Sequence, residues 1–116
     1  MSVELALLYI RLALSGAIVA LGLAVMLGGA LGVLRFPDFY TRLHAANAGD
    51  GVGGVVVLIG MLIASPTQDF AIRLALLAAL WAIAHPTLTQ MQAKAAHVGG
   101  LSPIAGPYSA SAERKH

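Results

Sequence analysis

Cysteine is absent from the 116 residues, which excludes disulfide frameworks, thiolate catalysis and Cys-ligated zinc together. Charge is almost as scarce. Asp, Glu, Lys and Arg make up 10% of the chain, and seven basic against five acidic side chains leave a net charge of only +2. The pI near 9.4 therefore reflects a shortage of ionisable groups, not a basic patch, and argues against a nucleic-acid partner. Hydrophobic residues reach 59% and the mean hydropathy is +0.84. Too little polar side chain remains to cover a water-facing surface.

Constellations that carry chemistry are also missing. The four histidines, His44, His85, His97 and His116, are scattered, and no His or carboxylate pair has i, i+4 ligand spacing, so no metal site is expected. Ser15, Ser65, Ser102, Ser109 and Ser111 stand in no nucleophile elbow and near no plausible base and acid. No catalytic residue, no cofactor and no enzymatic activity are expected. Gly49-Asp50-Gly51-Val52-Gly53-Gly54 satisfies G-x-G-x-x-G, but no strand precedes it to deliver a helix N-terminus to a pyrophosphate. Asp50 reads instead as the N-cap of a helix.

What is present is length without charge. Leu12 to Leu34 runs 23 residues uncharged, Gly51 to Gln68 gives 18 and Leu74 to Ala93 gives 20. As a helix the first would span about 35 Å, against roughly 30 Å of bilayer hydrocarbon. The expected fold is an all-α membrane protein with three transmembrane helices, at about 8–34, 50–67 and 71–93, forming a single domain over 1–98. A cleavable signal peptide is disfavoured for the first run, because its apolar stretch is too long, Glu4 and Arg11 precede it and Arg35-Phe36-Pro37 follows. Residues 99–116 carry Gly, Pro, Ser and terminal charges without periodicity, and read as a flexible cytoplasmic tail.

Between the first two spans, Phe36, Phe39, Tyr40 and Leu43 fall at i, i+3, i+4 and i+7 after the helix-starting Pro37, while Asp38 and Arg42 lie four apart on another side. This predicts a short cytoplasmic interfacial helix over about 36–47, its aromatics towards lipid or protein. Arg35, Pro37, Asp38, Tyr40, Arg42, His44 and Asp50 are the candidate subunit or lipid contacts. Orientation follows from basic residues: Arg35 and Arg42 lie in the first loop and Lys94, Arg114 and Lys115 after span three, against Arg11 and Arg73 on the other side. The N-terminus is expected outside and the C-terminus in the cytoplasm.

Small residues recur every fourth position along span one: Gly16, Ala20, Ala24, Gly28 and Gly32. Span two adds Gly49, Gly53 and Gly60, and span three Ala71, Ala75, Ala78 and Ala82. Such strips let helices approach closely, which matters where lipid removes the hydrophobic drive to associate. Three spans cannot cover all their faces in each other, so partner subunits are implied. In span three, Pro86 removes the amide hydrogen bond to Ala82. The adjacent His85 is an ionisable intramembrane group, a candidate for proton handling against the plainer reading of a neutral, hydrogen-bonded side chain.

The stretch Gly32-Val-Leu-Arg35-Phe-Pro37-Asp38-Phe-Tyr40-Thr-Arg42-Leu-His44-Ala45-Ala46 closely resembles the small G subunit of Mrp-type (Mnh or Pha) multisubunit cation/proton antiporters. The resemblance extends over most of the chain. It implies a complex of the bacterial inner membrane that exchanges Na+ or K+ for H+, in which large subunits related to respiratory complex I carry much of the proton path. The G subunit would be non-catalytic alone, required for the assembled exchanger and packed beside other small subunits, and the resemblance leaves room for a contribution to the cation or proton path. Two places depart from the family pattern. Asn47-Ala48-Gly49-Asp50 keeps only the acid of a Lys-Ala-Asp type sequence, and Gln90 and Lys94 stand where His and Arg are usual. His85 is then the substitute candidate one turn before Gln90. The alternative function is a self-associating small channel or transporter, for which only His85 and nearby Thr and Gln could supply a polar ring.

Overall fold

A computed structural model describes residues 2–103. Four α-helices, α1 (Val3–Arg35), α2 (Phe39–Ala46), α3 (Gly54–Ile63) and α4 (Gln68–Val98), and a π-helical segment, Asn47–Gly53, make up the chain. Ser2 starts α1, its side chain accepting from the Leu5 amide, with Glu4 in the first turn and Arg35 in the last, each at the helix end that favours its charge. The helix stops because Phe36, which precedes Pro37, adopts extended backbone. Thr67 caps α4 in the same way as Ser2 caps α1. Gly100, at φ +91°, closes α4 in the left-handed region, and the Leu101 amide returns to the Ala96 carbonyl at 3.0 Å.

The separate interfacial helix expected at 36–47 is not found as such. Its helix begins at Phe39 and does not end at residue 47: α2, the π segment and α3 run on with right-handed helical backbone at Ala46, Asn47, Gly53 and Gly54. The second rod is thus continuous from Phe39 to Ile63. It ends before the expected residue 67 because Pro66 disfavours helical backbone at Ser65. The N-cap reading of Asp50 fails for the same reason, since that residue sits inside the rod; the cap position belongs to Asp38. Val3–Arg35, Phe39–Ile63 and Gln68–Val98 are each long and apolar enough to cross a bilayer. Residues 104–116, most of the expected tail, lie outside the described residues.

The three rods form a row. The second rod packs against α1 on one side and α4 on the other, while α1 and α4 make no contact. The resulting slab measures 77 × 25 × 16 Å. Little is covered within it: the buried apolar residues are Ala45, Leu74 and Ala96, and among the described residues no large side chain is fully buried.

Candidate functional site

Glycines build the seam between α1 and the second rod. On α1 the buried residues are Ser15, Gly22 and Gly29, seven apart, and they meet Gly60, Gly53 and Gly49 respectively. A Cβ on Gly49 would stand 2.8 Å from the Gly29 Cα, so the two backbones touch where neither residue has a side chain. The Ser15 hydroxyl donates to the Gly60 carbonyl at 2.7 Å, a buried cross-helix bond.

The strip expected on α1 takes a different place. Gly16 and Gly28 have open space beside them, and Ala20 and Ala24 are exposed; Gly32 alone meets the second rod, with its missing Cβ 2.8 Å from the Ala45 Cβ. The cause is helical pitch. At 3.6 residues per turn, four-residue steps drift by about 40° each and wind round the helix, whereas seven-residue steps drift by only about 20°. The π segment compensates on the second rod. Its wider i→i+5 turns reduce the drift of four-residue steps and hold Ala45, Gly49 and Gly53 in line against α1.

The other side of the π segment receives α4. Trp81 Nε1 donates to the Asp50 carbonyl at 3.1 Å, and the indole stacks on the His85 imidazole with centroids 5.5 Å apart and planes at 22°. His85 lies against Gly51, whose Cβ would stand 2.6 Å from the imidazole Cδ2 and 3.1 Å from Nε2. That Nε2 is covered and has no hydrogen-bond partner. One turn on, the Thr89 hydroxyl lies 3.0 Å from both Asn47 Oδ1 and the His85 carbonyl, with one proton for two acceptors. Asn47, Gly51, Val55, Ala82, His85 and Pro86 line a cleft of about 290 Å³ between the rods. Ala82 is the residue whose carbonyl Pro86 deprives of an amide donor. On α4, Leu74 is buried, Ala71 and Ala78 are half-buried, and Ala75 and Ala82 are exposed.

The first-loop candidates gather at the far end of the second rod. Arg42 Nε donates to the Phe36 carbonyl, not to Asp38; the ion pair found among the described residues is Arg73–Asp69 at 2.9 Å. Asp38 is 8% exposed, and Thr41 donates to its carbonyl at 2.9 Å. The Tyr40 hydroxyl donates to the Leu101 carbonyl at 2.8 Å and ties the end of α4 to the start of α2. Arg35, Pro37 and His44 are exposed, as is Asp50 further along the rod. Sequence reasoning missed Ser15, Asn47, Trp81 and Thr89. The signal was available for Ser15, a lone hydroxyl in step with Gly22 and Gly29, but Asn47 and Thr89 are 42 residues apart and only the fold joins them. Among the described residues no three His, Asp or Glu side chains converge.

Residues 18–97 match the PhaG/MnhG/YufB family, described as Na+/H+ antiporter subunit. The chain belongs to that family. Its relatives by sequence include the UPF0091 protein PH0944 of Pyrococcus horikoshii, 41% identical over 71% of this chain and 80% of the relative. The UPF0091 protein RC0354 of Rickettsia conorii is 37% identical over 67% and 74%. Among solved structures, a chain of the Mrp complex from Dietzia sp. DQ12-45-1b is similar to this antiporter subunit with a TM-score of 0.79, 36% identity, and coverage of 95% of this chain and 96% of that one. A chain of the membrane-bound sulfane sulfur reductase, an archaeal respiratory membrane complex, shares the fold at a TM-score of 0.75 and 22% identity, over 87% and 94%.

Proposed function

We propose that the chain is a non-catalytic membrane subunit of a multisubunit monovalent cation/proton antiporter of the bacterial inner membrane, needed for its assembly. The observation that carries this reading is how little the molecule covers of itself. A one-layer row of three apolar rods exposes Leu7, Leu27, Leu34, Leu76, Leu80 and Ile83 by more than half, and leaves the Gly16 to Gly28 strip of α1 open. Small residues at an uncovered membrane-helix surface suit close approach by another helix. Family membership and the likeness to an Mrp complex chain support the identity of the neighbours as antiporter subunits.

The chain's own chemistry is positioning. The Arg35 to His44 segment docks at the cytoplasmic rim, with the N-terminus outside and the C-terminus inside. His85 is the one candidate for proton handling, supported by its unpartnered Nε2 beside the cleft. The test is a pull-down of the tagged chain in mild detergent. Co-purification of large polytopic proteins is expected, with recovery reduced in Asp38→Asn or Arg42→Ala before apparent Na+ affinity changes. Ion flux through the purified chain alone in liposomes would overturn the accessory role in favour of a self-sufficient channel.

A further inference from the structure

Asp50 stands deeper than its place beside a charge-free run suggests. Its neighbour Gly49 lies against Gly29, which is six residues, or about 9 Å of helix, before Arg35 and inside the uncharged stretch of α1. Its carbonyl takes the Trp81 indole proton, and Trp81 lies thirteen residues, about 20 Å of helix, before Lys94. The carboxylate is therefore at hydrocarbon depth. It is exposed, and it lines a groove of about 430 Å³ between α1 and the second rod with Gly29, Ala30, Val33, Leu34 and Ala46. Among the described residues no basic side chain pairs with it. An ionisable group so placed is costly unless a partner meets it.

We propose that this groove seats a transmembrane helix of a neighbouring subunit that presents a Lys or Arg to Asp50. The inference rests on the subunit reading above and names the chemistry of one neighbour. Small walls at Ala30 and Ala46 admit a helix closely, and the negative charge asks for a positive one. A bare alkali cation fits less well, because it needs several oxygens in place of its water, and the other lining side chains are aliphatic or absent. One carboxylate satisfies an ammonium or guanidinium.

The experiment compares wild type with Asp50→Glu, Asp50→Asn and Asp50→Lys as tagged chains expressed with the whole complex. Level in the membrane, recovery of co-purified subunits and Na+-dependent proton exchange are read for each. Asp50→Glu should keep recovery, Asp50→Asn should lower it about tenfold and Asp50→Lys should lower it further, with membrane levels of the chain maintained. Changing the partner's intramembrane Lys or Arg to Asp should restore recovery with Asp50→Lys. Wild-type recovery with Asp50→Asn overturns the pairing, and wild-type recovery with weakened Na+ dependence assigns the carboxylate to the transported cation instead. Should a variant fail to accumulate, carbodiimide coupling of the wild-type complex decides: an amide between Asp50 and a partner lysine supports the proposal. If no coupling forms and no intramembrane Arg of a neighbour cross-links to a cysteine at Ala46, it fails. A wild-type chain that captures no subunit defeats the subunit reading itself, a result distinct from all of these.

Discussion

One methyl group decides how near α1 and the second rod can come. In Gly49→Val the new Cβ would stand 2.8 Å from the Gly29 Cα, against backbone that cannot rotate aside. The helices must separate, so the variant should lose about 1–3 kcal/mol in denaturant titration of the detergent-solubilised chain. Gly16→Val, with open space around it, should stay within about 0.5 kcal/mol of wild type while lowering recovery of partner subunits. Equal stability of the two variants would contradict the seam. His85 is a residue-scale question of another kind. Its ring packs between Trp81 and Gly51, so His85→Phe can keep that stack while removing a polar atom that nothing serves, and the fold should not lose stability. Function separates the readings: if His85 handles protons, His85→Gln changes Na+-dependent proton exchange by the complex between about pH 6 and 9. Unchanged exchange leaves the side chain a packing element.

At the scale of elements, the π segment is the joint on which both interfaces of the second rod depend, with Gly49 and Gly53 towards α1 and Asn47 and Gly51 towards α4. The absence of native cysteine permits a direct check. Asn47→Cys with Thr89→Cys should form a disulfide rapidly under mild oxidation, and the yield should fall when Gly51→Val is added, since that Cβ displaces His85 and α4 with it. Cysteines at Ala20 and Ala82 should not cross-link within one chain, because α1 and α4 do not meet. A fast Ala20–Ala82 bridge would refute the row. Three spans were legible because the cost of charge in hydrocarbon spaces Arg11, Arg35, Arg73 and Lys94 along the chain whatever the tertiary structure. The joint was not legible. Asn47-Ala48-Gly49-Asp50-Gly51 has the composition of a turn, and only packing on both sides keeps it helical. The every-fourth-residue strip was visible in the sequence, yet which glycines meet within the chain depended on pitch, which favours seven-residue spacing.

Across the whole molecule, the basic side chains of the described residues sort into two levels. Arg11 donates to the Ser65 carbonyl at 3.2 Å, which puts it level with the α3–α4 turn, near Asp69 and Arg73. Arg35, Arg42 and Lys94 mark the other end, where Tyr40 holds Leu101. The slab therefore presents one edge at the α3–α4 turn with Arg11 and Arg73, and a second edge at the α1–α2 turn with Arg35, Arg42 and Lys94. Translocation resists the second edge more strongly, so it should face the cytoplasm. Single cysteines at Gln68 and Ser102, both exposed positions, test this in intact cells with a membrane-impermeant maleimide. Gln68→Cys should label from outside, and Ser102→Cys should label only after the membrane is opened. The reverse pattern would invert the molecule, place the Arg35 to His44 segment on the outer face, and require its docking partner to be sought there.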